Sequence, residues 1–334
     1  MRQARLKAPR EHEVAYYHCV SRVVDRRFVL QDREKEKFVE LMREYTTFCG
    51  VRIITYCVMS NHFHVLVEVP KAPEVLPTDE ELLKRIEGLS GLAGGRGARQ
   101  ILEGLRKAGD DTAAEEFRRK YFERMWDVSG FMKLLKQRFT QWFNLTHGRK
   151  GTLWEERFKS VLVEGSGAAL ATMAAYIDLN PVRAGITNDP KNYRWSGYGE
   201  AMAGRRGAKE GLRVVIAGAW RVGGEKVSLT EALEQYRVWM FGQGEERERK
   251  GFSREAVAKV VGEKGRVEMS EYLRLRVRYF ADGAVLGTRG FVDEVFRTFR
   301  SRFGPKRKDG ARRMKGVESE RLFVLRDLRV DVVG

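Results

Sequence analysis

The stretch from Val51 to Val69 leaves this chain little freedom. Residues 51–59 are rich in Val, Ile, Tyr and Thr and read as a strand. Ser60 and Asn61 make a tight turn, and residues 62–69 alternate as a second strand. Side chains along a strand point to opposite faces in turn. Phe63, Val65, Val67 and Val69 therefore face a core, and His62 and His64 share the other face. The chain has only five histidines in 334 residues, and two of them stand together on that face.

The flanking segments supply the rest of an α+β domain. Residues 14–23 read as a strand. Asp32 is placed to cap a helix running to Cys49, with Phe38, Leu41, Met42, Tyr45 and Phe48 as its apolar stripe and Gly50 as its stop. Pro70, Pro73 and Pro77 break the pattern after the third strand. A helical insert follows, about 78–126, in which Thr78 with Glu81 and Thr112 with Glu115 have capping-box spacing. A further amphipathic helix is expected over 129–146, a strand over 158–164 and a short helix over 168–180. Without the insert the order is the ferredoxin-like (RRM-like) split βαβ pattern: an antiparallel sheet with helices on one face and the other face free for a site. We expect a first domain over 1–207, with its insert at about 71–127. A small basic helical domain is expected over 208–334, with helices at 228–241, 253–263, 268–280 and 289–302 and a strand or tail at 321–333.

Charge narrows the class of partner. There are 63 Lys and Arg against 46 Asp and Glu, a formal net of +17. Such a balance suits a polyanion. No run of eighteen apolar residues appears, and the first residues lack the apolar stretch of a secretion signal, so no membrane association is expected. Cys19, Cys49 and Cys57 have neither zinc nor redox spacing and read as reduced thiols of a cytoplasmic protein.

Two imidazoles side by side on an open sheet face suit a divalent metal. The same pair also fits as two half-exposed polar residues on a strand. Far along the chain, Tyr176-Ile177-Asp178-Leu179-Asn180-Pro181 closes a predicted helix. Tyr176 and Asn180 are four apart and share a helix face. Asn180 can offer an oxygen to a hard cation, or simply end a helix before proline. Tyr176 alone, on a short helix, reads more readily as packing than as a nucleophile.

Two motifs resemble those of the HUH tyrosine transposases with a single catalytic tyrosine, in particular the REP-associated tyrosine transposase group. They are Asn61-His62-Phe63-His64 and the run from Tyr176 through Asn180-Pro181-Val182-Arg183 to Gly185. Ser21-Arg22, Tyr56-Cys57-Val58-Met59-Ser60, the stretch from Gly151 through Trp154, Arg157 and Phe158 to Lys159, and Tyr193-Arg194-Trp195-Ser196 are similar too, over about residues 13–200. The resemblance implies a ferredoxin-like core. It also implies Mg²⁺ or Mn²⁺ held by His62 and His64, Asn180 as a third polar ligand, and Tyr176 as the nucleophile. Some relatives carry Gln at the Asn180 position. The implied activity is a metal-dependent single-stranded DNA endonuclease and strand transferase acting on hairpins through a 5′-phosphotyrosine. A protein that binds palindromes without cutting is the alternative.

A flexible strand needs cations for its phosphates and aromatic faces for its bases. Arg22, Arg26, Arg27, Arg157, Lys159, Arg183 and Arg194 flank the site in sequence, and Trp154, Tyr193 and Trp195 are candidate stacking groups. The expected partner is single-stranded or hairpin DNA, with the basic C-terminal helices gripping the stem. The expected state is a monomer or homodimer, cytoplasmic and nucleoid-associated.

Overall fold

The computed structural model describes residues 5–9, 11–165, 168–219, 228–241, 278–281, 283–314 and 322–326. The helix expected at 253–263, most of the one at 268–280 and most of the tail at 321–333 lie outside the described residues. The architecture is mixed α+β, built on a seven-stranded, mostly antiparallel sheet in the order β2-β3-β1-β4-β5-β7-β6. The strands are β1 (Val14–Arg22), β2 (Arg52–Val58), β3 (His62–Pro70), β4 (Lys159–Val163), β5 (Val285–Gly287), β6 (Arg312–Arg313) and β7 (Phe323–Leu325). β4 lies antiparallel to β1, with His18 opposite Val161, and β5 runs parallel to β4. By internal contacts the chain divides into two compact units. One comprises Met1–Phe28, Ile53–Val67 and Trp154–Gly334; the other comprises Val29–Arg52 and Glu68–Leu153.

The second unit is mostly helical. α1 (Asp32–Cys49) starts one residue earlier than the cap assignment implied. Gln31 is its cap and Asp32 its first helical residue, while Gly50, at φ 65°, ends it in the left-handed region that favours glycine. α2 (Asp79–Lys107) begins with the Thr78–Glu81 capping box as read. α3 (Asp111–Phe122) does not use Thr112. Asp110 accepts from the Ala113 amide at 3.0 Å, because a carboxylate two residues earlier captures the free amides first. α4 (Val128–Thr146) buries Phe131, Leu135, Phe139 and Phe143 along one stripe, and Asp127 caps it.

The first unit carries the site. α5 (Ala168–Asp178), α6 (Asn180–Arg183) and α7 (Gly197–Met202) are followed by α8 (Arg206–Ala219) and α9 (Leu229–Phe241). Leu66, Val161 and Val163 share one apolar cluster with Met173 of α5, Ile216 of α8 and Tyr236 of α9. The sheet face expected to be open is therefore covered. Residues beyond 207 also do more than form a basic helical domain. They roof this face, add β5, β6 and β7 to the sheet, and contribute α10 (Arg278–Ala281) and α11 (Arg289–Thr298). Strands of two or three residues carry too few side chains to reveal a period.

Two local contacts fix this roof. At Gly211 of α8 an added Cβ would lie 2.2 Å from the Ile54 carbonyl oxygen, so the helix rests on the backbone of β2. Asp178, fully buried at the end of α5, accepts from Thr55 Oγ1 at 2.6 Å and from the Tyr236 hydroxyl at 2.5 Å. One carboxyl thus ties α5 to β2 and α9. Burial pushes it up to about 7, against the hydrogen bonds from Thr55 and Tyr236 that favour its charge.

Two outcomes follow for stability. Gly211→Ala gains about 1 kcal/mol of helix propensity but must move backbone, at a cost of about 1–3 kcal/mol. A net loss in urea unfolding is expected, and unchanged stability would contradict the close approach. Asp178 binds its proton more tightly folded than unfolded. Its contribution is therefore fully present below about pH 4 and is lost as pH rises through about 7. His18 and His62, lowered to about 4, act in the opposite direction, so the comparison is with Asp178→Asn. The asparagine variant should gain about 2–3 kcal/mol on the wild type between pH 5 and 8. A difference that stays constant with pH would show that Asp178 does not titrate in this range.

Candidate functional site

The three distant stretches meet on one face of the sheet. His62 and His64 open β3, and His18 sits mid-strand in the adjacent β1. Tyr176 projects from the last turn of α5 onto the same group. Its ring centroid lies 5.6 Å from that of His64 and 5.9 Å from that of His18, edge-on to both. His62 and His64 are 5.0 Å apart by the same measure. His18, His64 and Tyr176 are buried, and His62 is half-buried. Phe280 of α10 stacks on Tyr176 at 4.3 Å and 16°, and the Arg183 guanidinium carbon stands 5.5 Å from the tyrosine ring centroid.

The join between α5 and α6 explains the Asn-Pro pair. Pro181 has no amide hydrogen to give the Ile177 carbonyl four residues back. The Asn180 side-chain nitrogen donates there instead, at 3.2 Å, and also to the Tyr176 carbonyl at 2.9 Å. Carbonyls only accept, so the amide nitrogen must face the helix and Oδ1 must face away from it. Asn180 thereby holds the turn that carries Tyr176 and presents an oxygen.

Hydrogen bonds also settle the His62 ring. Asp25 and Arg26, at φ 58° and 55°, turn the chain so that the Arg26 carbonyl accepts from Asn61 Nδ2 at 3.1 Å. That bond directs Asn61 Oδ1 at His62 Nδ1, 2.6 Å away, which must then carry the proton. His62 Nε2 keeps its lone pair. Burial, with the Arg22 charge second, lowers His62 to about 4. His64 is held well below its ordinary value, first by burial and then by His62, His18 and two arginines.

The chemistry of this donor set fits a divalent cation. Neutral imidazoles are the form that binds metal, and an amide oxygen suits a hard ion. Among the described residues no group of three or more His, Cys, Asp or Glu is arranged to hold one. A cation here would therefore depend on two imidazoles and the Asn180 amide, without a carboxylate.

The remaining candidates divide by exposure. Arg26, Arg27, Arg157, Lys159 and Arg194 are exposed, and Arg22 and Arg183 are half-buried. Lys159 pairs with Glu156 at 3.4 Å. Trp154 is buried edge-on against Phe63 at 5.3 Å, and Tyr193 is buried with its hydroxyl donating to the Val58 carbonyl at 2.7 Å. Neither offers a face to a base here. Trp195 is half-buried, with the Arg194 guanidinium carbon 5.2 Å from its ring centroid. Sequence reasoning passed over His18. Its only signal was alternation within the first strand, and nothing in the sequence said that this strand pairs beside β3. No helix among the described residues is long and apolar enough to cross a membrane.

Residues 12–82 match the family model described as "Transposase IS200 like". The matched segment contains His18, His62 and His64 and stops before Tyr176. No curated protein matches the chain. A solved structure of a REP-associated tyrosine transposase bound to a REP hairpin is similar at 14% identity and a TM-score of 0.38. The alignment covers 61% of this chain and 87% of that one, a likeness that carries no residue-by-residue argument. Residues 12–82, which include the paired histidines, are thus similar in sequence to an IS200-like transposase domain.

Proposed function

We propose that the protein is a metal-dependent endonuclease and strand transferase for single-stranded DNA, acting on hairpins of REP-like palindromes with Tyr176 as its nucleophile. The observation that carries this reading is the convergence of Tyr176, His62, His64 and the Asn180 turn, which are separated by more than a hundred residues of sequence. His62, His64 and Asn180 are the groups to hold Mg²⁺ or Mn²⁺. When bound, that ion would polarise the scissile phosphate and offset its developing charge.

The chain's own groups account for the other requirements. A phenol has a pKa near 10, so only about one in a thousand is ionised at pH 7. The Arg183 guanidinium stands beside the ring, a cation next to the group that must give up its proton. Attack forms a bond from the tyrosine oxygen to phosphorus and breaks the bond to the 3′ oxygen, which leaves as a hydroxyl by taking up, through solvent, the proton that the phenol releases. One phosphodiester replaces another, so the step is reversible and a second strand's hydroxyl can complete a transfer. The exposed Arg26, Arg27, Arg157 and Arg194 supply charge for phosphates.

One observation favours the palindrome-binding alternative. Tyr176 is only 1% exposed and lies under Phe280. A strand reaches it only if that cover moves.

Tyr176→Phe separates the readings. With a hairpin oligonucleotide, the wild type should give a protein–DNA adduct on a denaturing gel. The phenylalanine variant should give at least about 10³-fold less, in line with removal of a covalent nucleophile, while hairpin affinity changes little. An adduct that persists in the variant, or that never forms in the wild type, ends the nucleophile assignment. Excess chelator should abolish the adduct and added Mn²⁺ should restore it at least as well as Mg²⁺, because imidazole suits softer ions. Undiminished adduct in chelator would remove the metal role.

A further inference from the structure

His64 is gripped by a residue that lies outside the paired-histidine motif. Its Nδ1 is 2.9 Å from His18 Nε2, and His18 Nδ1 is 2.8 Å from the carbonyl oxygen of Phe280. The His18 and His64 rings are within 13° of parallel, and His18 has no exposure to solvent. A backbone carbonyl can only accept, so His18 Nδ1 must bear hydrogen. A ring with no exposure to solvent is held in its neutral form, and with hydrogen on Nδ1 its Nε2 is a bare acceptor. His64 Nδ1 must then be the donor.

We infer that His18 is a positioning residue. Through His64 Nδ1–H···Nε2 His18 Nδ1–H···O=C Phe280 it locks His64 in the tautomer whose Nε2 carries the lone pair that a divalent cation needs. The inference rests on the reading of His64 as a metal ligand. The arrangement mirrors the one at His62, where Asn61 links Nδ1 to the Arg26 carbonyl. Each imidazole of the pair is thus fixed by one intermediary to a backbone carbonyl, and each presents Nε2. For His62 the intermediary is the preceding residue, whereas for His64 it comes from a neighbouring strand and the anchor from α10. A second hydrogen-bonded group of this kind fixes ring orientation and raises ligand basicity.

The test uses full-length, metal-free protein labelled with ¹⁵N-histidine. Long-range ¹H–¹⁵N spectra should show His64 with Nδ1 protonated and Nε2 bare, the resonances being assigned by their loss in His64→Gln. His18→Gln puts an amide oxygen near the Nε2 position and should keep that tautomer. His18→Phe removes the acceptor and should shift His64 toward the Nε2–H form. Mn²⁺ affinity, read from the EPR signal of the free ion, should fall about 10–100-fold in His18→Phe and much less in His18→Gln. A wild-type His64 protonated at Nε2 overturns the inference. So does a His18→Phe protein with unchanged tautomer and unchanged Mn²⁺ affinity. If the phenylalanine variant does not fold, the wild-type spectrum still decides. The spectra involve neither metal nor DNA, so they judge the relay separately from the Tyr176 adduct.

Discussion

A neutral imidazole has one donor and one acceptor, and burying it penalises either one left unmet. His18 and His64 are buried side by side, and a line of hydrogen bonds ending on the Phe280 carbonyl meets both needs of His18 and the donor of His64. Much of the first unit follows from that need. β1 must lie beside β3 for the rings to touch, and a segment 262 residues after His18 must return to supply the acceptor. An unsatisfied buried polar group costs about 1–3 kcal/mol, so the alternatives in which β1 or α10 sits elsewhere are penalised by the polar groups they would strand.

The helix bearing Tyr176 answers a related problem. α5 is apolar on every side and buries Leu170, Met173 and Ile177, so packing alone would leave its rotation poorly determined. Polar contacts at its end remove that ambiguity. Asp178 bonds to Thr55 and Tyr236, and Asn180 closes the Ile177 carbonyl that Pro181 cannot serve. With the rotation fixed, Tyr176 meets the imidazoles. The same packing puts Phe280 over the phenol, so the interactions that orient the proposed nucleophile also shield it. Preorganisation and access are in tension at this point of the fold.

The elements legible in the sequence were those with long periods or sharp punctuation. β1, α1, β2, β3, α4 and β4 lie within a residue or two of their expected bounds. The Thr78 cap read correctly, but the Thr112 cap did not, because Asp110 competes for the same amides. α8 was not among the expected helices; its Gly211 is small because the helix touches the backbone of β2. Trp154 and Tyr193 illustrate the limit for single residues. Next to a cationic segment an aromatic reads as a stacking platform, and only packing reveals that Phe63 and the Val58 carbonyl already occupy them.

By itself the sequence determined the face shared by His62 and His64, since alternation in a strand is local geometry that no later contact can reverse. It also determined that Tyr176 and Asn180 travel together, since four residues make one helical turn. Tertiary structure alone decided that these two pairs meet, that His18 joins them, and that residues beyond 207 cover the face and complete the sheet. The reason is one of range. Local periodicity fixes where a side chain points on its own element, whereas strand order and long-range polar satisfaction depend on groups hundreds of residues apart and leave no periodic trace in the chain.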